Sequence, residues 1–420
     1  MELFDKLGAE VEETWREQNY NEDLFPAIAA DALRRANLPS KLSAWDVIQW
    51  TLAQSELPPQ KDPTAKFGDP PITLFVSPRF YIDVYFWLDG TTAVHQHAFA
   101  GAFQVLLGSS IHSWYEFDRT EVINSFVEIG EMSLKVCELL NVGDVQEIQA
   151  GRQYIHSLFH LDQPSATIVI RTEKSPLYLP QFAYYKPSLA IDPFFEHQTT
   201  TRKLQTVSVL FQVDHPDADR LVDEMLESCD FHTSFLILSF VHDRLRARPL
   251  GQLFNLTATS DRFDRFVETV CRRHGAKADR LDEVFRYRDA LNEIVRRRSY
   301  VTDPEHRFFF ALLLNIEDRD TIFRLIGSRF PGVDPVEKVL DWTHDLAHTR
   351  VVGVNTPNAL GIEGFDDVDL SILESLLRGK SEAGAREALT SDYGAERLAP
   401  VDVDGKFARV RESVIFRPLL

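Results

Sequence analysis

The spacing of apolar residues divides the chain into three stretches with different periodicities. Over residues 1–60 apolar side chains recur every three or four positions, as from Leu3 to Trp15, and this spacing predicts short amphipathic helices. Residues 70–190 contain short runs of Phe, Tyr, Val and Ile separated by Gly, Asp, Pro or Ser, a pattern that predicts about eight strands. Such a density of short strands is typical of a β-sandwich or barrel.

Helical spacing returns after residue 200, following one alternating run, LQTVSVLFQV, that is typical of a strand. Near the end of the sequence, Asp404 and Gly405 stand between two alternating runs, and this dipeptide predicts the turn of a β-hairpin. We therefore expect an α+β multidomain protein. Its parts are a helical N-terminal segment (1–60), a β domain (70–190) and a mainly α-helical C-terminal domain (200–420) that ends in a β-hairpin.

Composition and charge narrow the choice of partners. A chain of 420 residues with 44% hydrophobic residues is long enough for about two or three domains. Its formal net charge of −19 leaves no basic stripe to neutralise phosphates, so small molecules or proteins are expected partners, and nucleic acid or a membrane surface is not. The first residues lack a signal-peptide pattern, and the apolar runs are too short to span a bilayer. The three cysteines lie too far apart in the sequence to indicate a disulfide framework or a CxxC metal pair. We therefore expect a cytoplasmic protein.

Two histidines in one apolar run are the first candidates for chemistry. In AVHQHAFAGAFQVLLG, strand alternation places His95 and His97 on the same face, close enough to share one metal ion. A metal ion needs further ligands, and a later predicted strand carries His156 and His160 on one face. The spacing alone leaves open which of these two is the third ligand.

The runs DGTTAVHQH and VGDVQEIQAGRQYIH, together with the closing Gly108, resemble the two short motifs of the cupin superfamily. The resemblance covers residues 70–190 and implies a double-stranded jelly-roll barrel with a metal ion inside. Where the first motif of the family has a Glu ligand, seven residues before the closing glycine, this chain has Gly101.

Without that carboxylate, the chain most resembles the three-histidine non-heme iron enzymes of the cysteine dioxygenase type. The resemblance implies that His95, His97 and His156 are the metal ligands. In the mammalian-type members a cysteine crosslinked to tyrosine occupies the position of Gly101, so that crosslink cannot form here. The first predicted strand, ITLFVS, also lacks the arginine that binds the substrate carboxylate in those enzymes, so cysteine is not the expected substrate.

The chemistry of three neutral imidazoles supports the same interpretation. They leave the charge of a divalent ion uncompensated and one octahedral face open, which suits an anionic substrate and O₂. We therefore predict an Fe(II)-dependent oxygenase, a dioxygenase-type enzyme that oxidises a small anionic substrate bound directly to the metal. Its further site residues would be His160 and His112, holding His156 or a bound water, Arg171, pairing with the substrate anion, and Tyr154, donating to a bound oxygen.

Two alternative functions remain open. The first is a metal-binding or ligand-binding cupin without oxygenase activity, which would act as a sensor or scaffold. The second is a Zn- or Mn-dependent isomerase or hydrolase with the same ligands. In either case, as for the oxygenase, a homodimer is plausible. A second histidine pair, His344 and His348, superficially resembles the HExxH zinc helix, and we interpret it as part of a surface ion network.

Overall fold

The structure, a computed structural model, describes residues 1–61, 63, 67–88, 93–246 and 256–420, without the side chains of residues 246 and 256–261. In these ranges, no helix combines the length and the apolar character that crossing a bilayer requires. Residues 89–92, which belong to the run that resembles the first cupin motif, lie outside the described residues.

Helices cover the N-terminal segment, as predicted. The first buries Leu7, Val11 and Trp15, which lie one turn apart on a single face. The third begins at a capping box, in which the Ser43 hydroxyl accepts from the Asp46 amide and the Asp46 carboxylate accepts from the Ser43 amide. The helices are α1 (Glu2–Glu17), α2 (Phe25–Ala36) and α3 (Ala44–Ala53).

The β domain contains more strands than the apolar runs predict, because three strands of three or four residues, at 145–148, 183–185 and 189–191, are too short to stand out as apolar runs. The strands are β1 (Pro71–Val76), β2 (Phe80–Trp87), β3 (Val94–His97), β4 (Gly101–Leu107), β5 (Ser110–Asn124), β6 (Val127–Leu140), β7 (Val145–Ile148), β8 (Gly151–His160), β9 (Ser165–Thr172), β10 (Ala183–Tyr185) and β11 (Leu189–Ile191).

These strands form two antiparallel sheets. One has five strands in the order β1-β2-β9-β4-β7, and the other closes as a six-stranded barrel in the order β10-β11-β6-β5-β8-β3. A cluster of buried side chains joins the two inner faces, with Phe103 and Val169 from the first sheet and Leu140 and Leu158 from the second. The β domain is thus the cupin-type jelly-roll barrel that the sequence predicts.

Both outer faces of the barrel are covered. Helices α1 and α2 pack on the five-stranded sheet, where Ile168 and Ile170 of β9 join their core. Since alternate residues of β9 face opposite ways, Thr167, Val169 and Arg171 point to the inside, and every residue of the strand is buried. The helices of the C-terminal region cover the other sheet, through clusters that include strand residues of β5, β6, β8 and β11.

The C-terminal region is helical, as predicted, but its expected β-hairpin is wrong. Asp404 and Gly405 lie in the first turn of the last α-helix, where the Asp402 carboxylate accepts from the Gly405 amide as an N-cap. The helices are α4 (Gln198–Gln212), α5 (Ala218–Ser228), α6 (Phe231–Arg246), α7 (Leu256–His274), α8 (Asp279–Ser299), α9 (Pro304–Asn315), α10 (Arg319–Arg329), α11 (Pro335–His348), α12 (Asp367–Leu377), α13 (Glu382–Tyr393), α14 (Ala395–Leu398) and α15 (Val403–Glu412).

The strand expected in LQTVSVLFQV is also wrong, since this run belongs to α4. Val207 and Phe211, four positions apart, are buried on one helix face against Leu189 and Ile191 of the barrel. The β-branched residues that favour a strand are outweighed by the burial of this face, which is available only in the folded chain.

Candidate metal centre

Strand pairing brings the three predicted ligands together inside the barrel. His95 and His97 lie on β3, His156 lies on the antiparallel neighbour β8, and His95 stands opposite His156 in the register. One ring nitrogen from each histidine lies within 4.8 Å of the other two, and His97 Nε2 is 2.9 Å from His156 Nε2. Of the two histidines that the sequence left as possible third ligands, His156 belongs to this group and His160 does not.

The environment keeps the three imidazoles neutral. Burial lowers the pKa of His95, and it lowers the pKa values of His97 and His156 well below the usual range. His95 Nδ1 lies 2.7 Å from the carbonyl oxygen of Ala93, so this nitrogen carries the proton and the lone pair is on Nε2. That buried Nε2 has no hydrogen-bond partner in the described part of the chain, as expected of a nitrogen that binds a metal ion.

A hydrogen-bonded chain behind His156 holds its ring. His156 Nδ1 lies 3.3 Å from His112 Nε2, and His112 Nδ1 lies 3.1 Å from the Glu138 carboxylate. Gln146 donates to the same Glu138 oxygen at 2.9 Å. With a metal ion on His156 Nε2, the Nδ1 proton of His156 points to His112, which in turn donates to Glu138. The hydrogen bond from His112 lowers the pKa of Glu138, so the acceptor is a carboxylate.

His112 therefore has the supporting position that the sequence offered for it. Glu138 and Gln146 were missed, because Glu138 stands opposite His112 only through the pairing of β5 with β6. The local sequence indicates only that Glu138 lies in a strand, at a position that proves to be partly buried, and it does not indicate the partner of Glu138.

Of the two roles predicted for His160, holding His156 or holding a bound water, the structure contradicts the first. His160 Nδ1 lies 3.0 Å from the Ser110 hydroxyl and 2.9 Å from the Ser165 hydroxyl, and its ring stacks on Trp87. Alternation does place His156 and His160 on one face of β8, but residues four positions apart in a strand are separated by about 13 Å along the strand. His160 therefore packs at the end of β8, too far along the strand to share the histidine group.

Tyr154 is also placed differently from the prediction. It lies beside His156, with the two ring centroids 4.4 Å apart, but its hydroxyl is 2.9 Å from His112 Nε2. The ring is buried and does not line the cavity in front of the histidines. Tyr154 thus belongs to the hydrogen-bonded chain behind His156, and its hydroxyl does not point to where an oxygen ligand would bind.

Gly101 is a glycine for a steric reason. A Cβ atom built on it would lie 2.1 Å from the carbonyl oxygen of Ile170 on the paired strand β9. Neither the carboxylate of the wider superfamily nor a crosslinked cysteine can occupy this position unless β4 and β9 move apart. The ligand set offered by the described residues is therefore made of neutral nitrogens.

A cavity of about 560 Å³ opens in front of the histidines, and Arg171 lines it as strand alternation predicts. The Arg171 guanidinium lies 3.4 Å above the Phe99 ring, and Phe99 packs against His97 with ring centroids 4.3 Å apart. The Arg171 side chain is 9% exposed, and its Nε has no hydrogen-bond partner among the described residues. Among the described residues no carboxylate makes an ion pair with Arg171, although the buried Asp83 carboxylate lines the same cavity.

The second histidine pair forms no comparable group. His344 and His348 lie side by side on the surface of α11 with ring centroids 4.3 Å apart, and His348 Nδ1 lies 2.8 Å from the carbonyl oxygen of His344. The Asp345 carboxylate lies 3.6 Å from His344 and 3.7 Å from His306, and both distances are long for an ion pair. These contacts agree with the surface network that we favoured from the sequence.

Comparison of the sequence with protein-family models finds no match, and neither does comparison with curated proteins. Among solved structures, a cupin-2 domain containing protein from Shewanella frigidimarina is 12% identical, with 32% of this chain and 97% of that chain covered and a TM-score of 0.19. Recombinant oxalate oxidase in complex with glycolate is 15% identical, with 30% and 61% covered and a TM-score of 0.20. A cupin 2 conserved barrel domain protein from Rhodopseudomonas palustris is 15% identical, with 28% and 72% covered and a TM-score of 0.18.

Similarities at this level carry no argument about activity. The strand order makes the β domain a cupin-type barrel, and the positions of His95, His97 and His156 inside it make up a histidine group that suits a metal ion.

Proposed function

We propose that the protein is an Fe(II)-dependent oxygenase that uses O₂ to oxidise a small anionic substrate. The observation that carries this proposal is the combination, in one cavity, of three neutral imidazoles and a buried arginine that makes no ion pair with any of the described residues. Three neutral ligands leave the positive charge of a divalent ion available to an anion, and Arg171 adds a second attraction for it.

Each residue has a separate task in this proposal. His95, His97 and His156 would hold the metal ion, which when bound supplies the redox chemistry with O₂ and a coordination site for the substrate anion. His112 and Glu138 keep the His156 ring in the orientation that presents Nε2 to the cavity.

Arg171 orients the substrate through a charged hydrogen bond, and its own position is set by the Phe99 ring beneath it. The surrounding aromatic and aliphatic side chains exclude water from the reacting groups and strengthen the attraction between Arg171 and the anion.

The proposal is tested by elemental analysis of protein purified anaerobically without chelators, followed by O₂ uptake with ferrous iron and a panel of carboxylic acids, keto acids and thiols. We expect about one iron per chain, lost in His156→Ala and kept in His344→Ala, since the first removes a ligand and the second a surface side chain. Substrate-dependent O₂ consumption is expected only with the iron-loaded protein.

Other outcomes would point to the alternative functions. Stoichiometric zinc or manganese without O₂ uptake would replace the oxygenase with an isomerase or hydrolase, and a protein without stoichiometric metal would contradict the metal centre and favour a sensor or scaffold. Unchanged iron content in His156→Ala would show that the metal binds elsewhere.

A further inference from the structure

The cavity in front of the histidines is walled by aromatic rings. Phe67 meets three neighbours edge to face, with ring centroids 5.1 Å from Trp87, 5.7 Å from Tyr85 and 6.1 Å from His95. Tyr85 and Trp87 stack on each other at 5.9 Å. Further rings complete the wall: Tyr81, Phe99, Phe103 and Phe194. This group of rings, which includes a predicted metal ligand, offers both faces and edges to a planar guest.

Among the described residues, three cationic side chains and one carboxylate line the cavity: Arg171, Lys61, Lys174 and Asp83. The Asp83 carboxylate is buried and accepts from the Tyr85 hydroxyl at 3.1 Å. The lining is thus mostly positive, although the chain as a whole has a net charge of −19.

Arg171 is buried and lacks an ion-pair partner among the described residues, whereas Lys61, nearer the surface, pairs with Glu173. Lys174 lies over the Phe194 ring at 4.8 Å. An unpaired buried cation is costly, so a ligand that brings a carboxylate to Arg171 gains affinity from neutralising it.

The anion position and the ring position lie at different places along β9. Arg171 stands opposite Tyr81, and Thr167, four residues earlier, stands opposite Tyr85, which is in contact with Phe67. Four residues of a strand span about 13 Å. A ligand that reaches both places therefore needs a short chain between its carboxylate and its ring, and the cavity volume of about 560 Å³ is ample for it.

We propose that this cavity binds an aromatic carboxylate, with the carboxylate on Arg171 beside the histidine group and the ring between Phe67, Tyr85 and Trp87. This assignment deepens the proposed function and rests on it for the role of the metal, but the binding that it describes is measurable without turnover. It distinguishes the substrate from small amino acids, which would leave the aromatic wall unfilled, and from aromatic amines, which do not neutralise Arg171.

Isothermal titration of the full-length, metal-containing protein under anaerobic conditions tests the assignment with three probes. They are 3-phenylpropanoate, hexanoate, which keeps the charge and lacks the ring, and 3-phenylpropylamine, which keeps the ring and carries the opposite charge. We expect 3-phenylpropanoate to bind about tenfold more tightly than hexanoate, because stacking adds to the burial of apolar surface. We also expect it to bind at least about tenfold more tightly than the amine, because only the carboxylate neutralises Arg171.

Two variants separate the contributions of charge and ring. Arg171→Met should weaken binding of 3-phenylpropanoate at least about tenfold, while Arg350→Met, at an exposed arginine, should leave it unchanged. Trp87→Leu should reduce the preference for 3-phenylpropanoate over hexanoate. Arg171→Met replaces the arginine with an apolar side chain of similar length. Circular dichroism would establish that this variant is folded, so that its loss of affinity does not reflect unfolding.

Equal binding of hexanoate and 3-phenylpropanoate would overturn the aromatic assignment, and so would tight binding of the amine or no binding of any probe to metal-loaded protein. Selective binding of 3-phenylpropanoate without O₂ uptake with any acid of the oxygenase panel would support this assignment and contradict the oxygenase, so the two failures are distinguishable.

Discussion

Replacing Glu138 with alanine tests whether the hydrogen-bonded chain behind His156 contributes to metal binding. Glu138 accepts from His112 at 3.1 Å and makes no contact with the cavity in front of the histidines. Without it, the His112 proton is free to move to Nε2, where it would oppose the Nδ1 proton of His156 across 3.3 Å. The His156 ring would then lose the contact that sets its orientation.

The magnitude follows from the character of this contact. Partners that orient a metal-binding histidine are worth about 10- to 100-fold in metal affinity. The Glu138 side chain is 38% exposed, so water screens its interaction with His112, and we expect the lower end of this range. Tenfold corresponds to about 1.4 kcal/mol of binding free energy. Glu138→Gln, whose amide oxygen still accepts a hydrogen bond, should lose less metal affinity than Glu138→Ala.

Competition between the protein and a chromophoric chelator for zinc measures this affinity directly and needs no turnover. Glu131→Ala is the matched control, because Glu131 lies on the same strand and its side chain is 74% exposed. Circular dichroism and thermal melting would establish that each variant is folded. A folded Glu138→Ala protein with the zinc affinity of the wild type would refute the role of this chain of hydrogen bonds.

Two further predictions concern the barrel itself. Gly101→Ala should lower the free energy of unfolding, measured by urea denaturation, by about 1–3 kcal/mol, because its Cβ would overlap the Ile170 carbonyl. Gly327→Ala, in a helix with open space around it, should not lower it. Equal effects of the two substitutions would argue against the steric reason. Burial lowers the pKa of His160 to about 3, while in the unfolded chain it is about 6.5, so between these values only the unfolded state binds the proton and acid favours unfolding. As the pH falls from about 6.5 towards about 3, the free energy of unfolding of His160→Gln should therefore decrease less steeply than that of the wild type, by up to about 1.4 kcal/mol per pH unit. A decrease as steep as in the wild type would contradict a neutral His160.

The errors of the sequence-based interpretation share one cause. Asp404 and Gly405 are as compatible with the first turn of a helix as with a hairpin turn, and the residue that caps this helix is Asp402, whose carboxylate accepts from the Gly405 amide. This segment forms a helix because a helix buries Phe407 and Val410 against the other C-terminal helices. Local turn signals carry no information about that burial.

The sequence by itself determined what depends on neighbouring residues. Alternation along one strand placed His95 and His97 on a common face and turned Arg171 inward, and the density of short apolar runs predicted the barrel. These properties follow from the backbone geometry of a single strand, which is the same whatever the strand pairs with.

Only the tertiary structure decided which distant residues meet. The register of β3 against β8 selected His156 over His160, and the register of β5 against β6 placed Glu138 against His112. The close approach of β4 to β9 explains why Gly101 cannot be a ligand. Register between strands is determined by the packing of both faces of each sheet and by the connections, which involve residues far apart in the chain, so the periodicity of one segment does not reveal it.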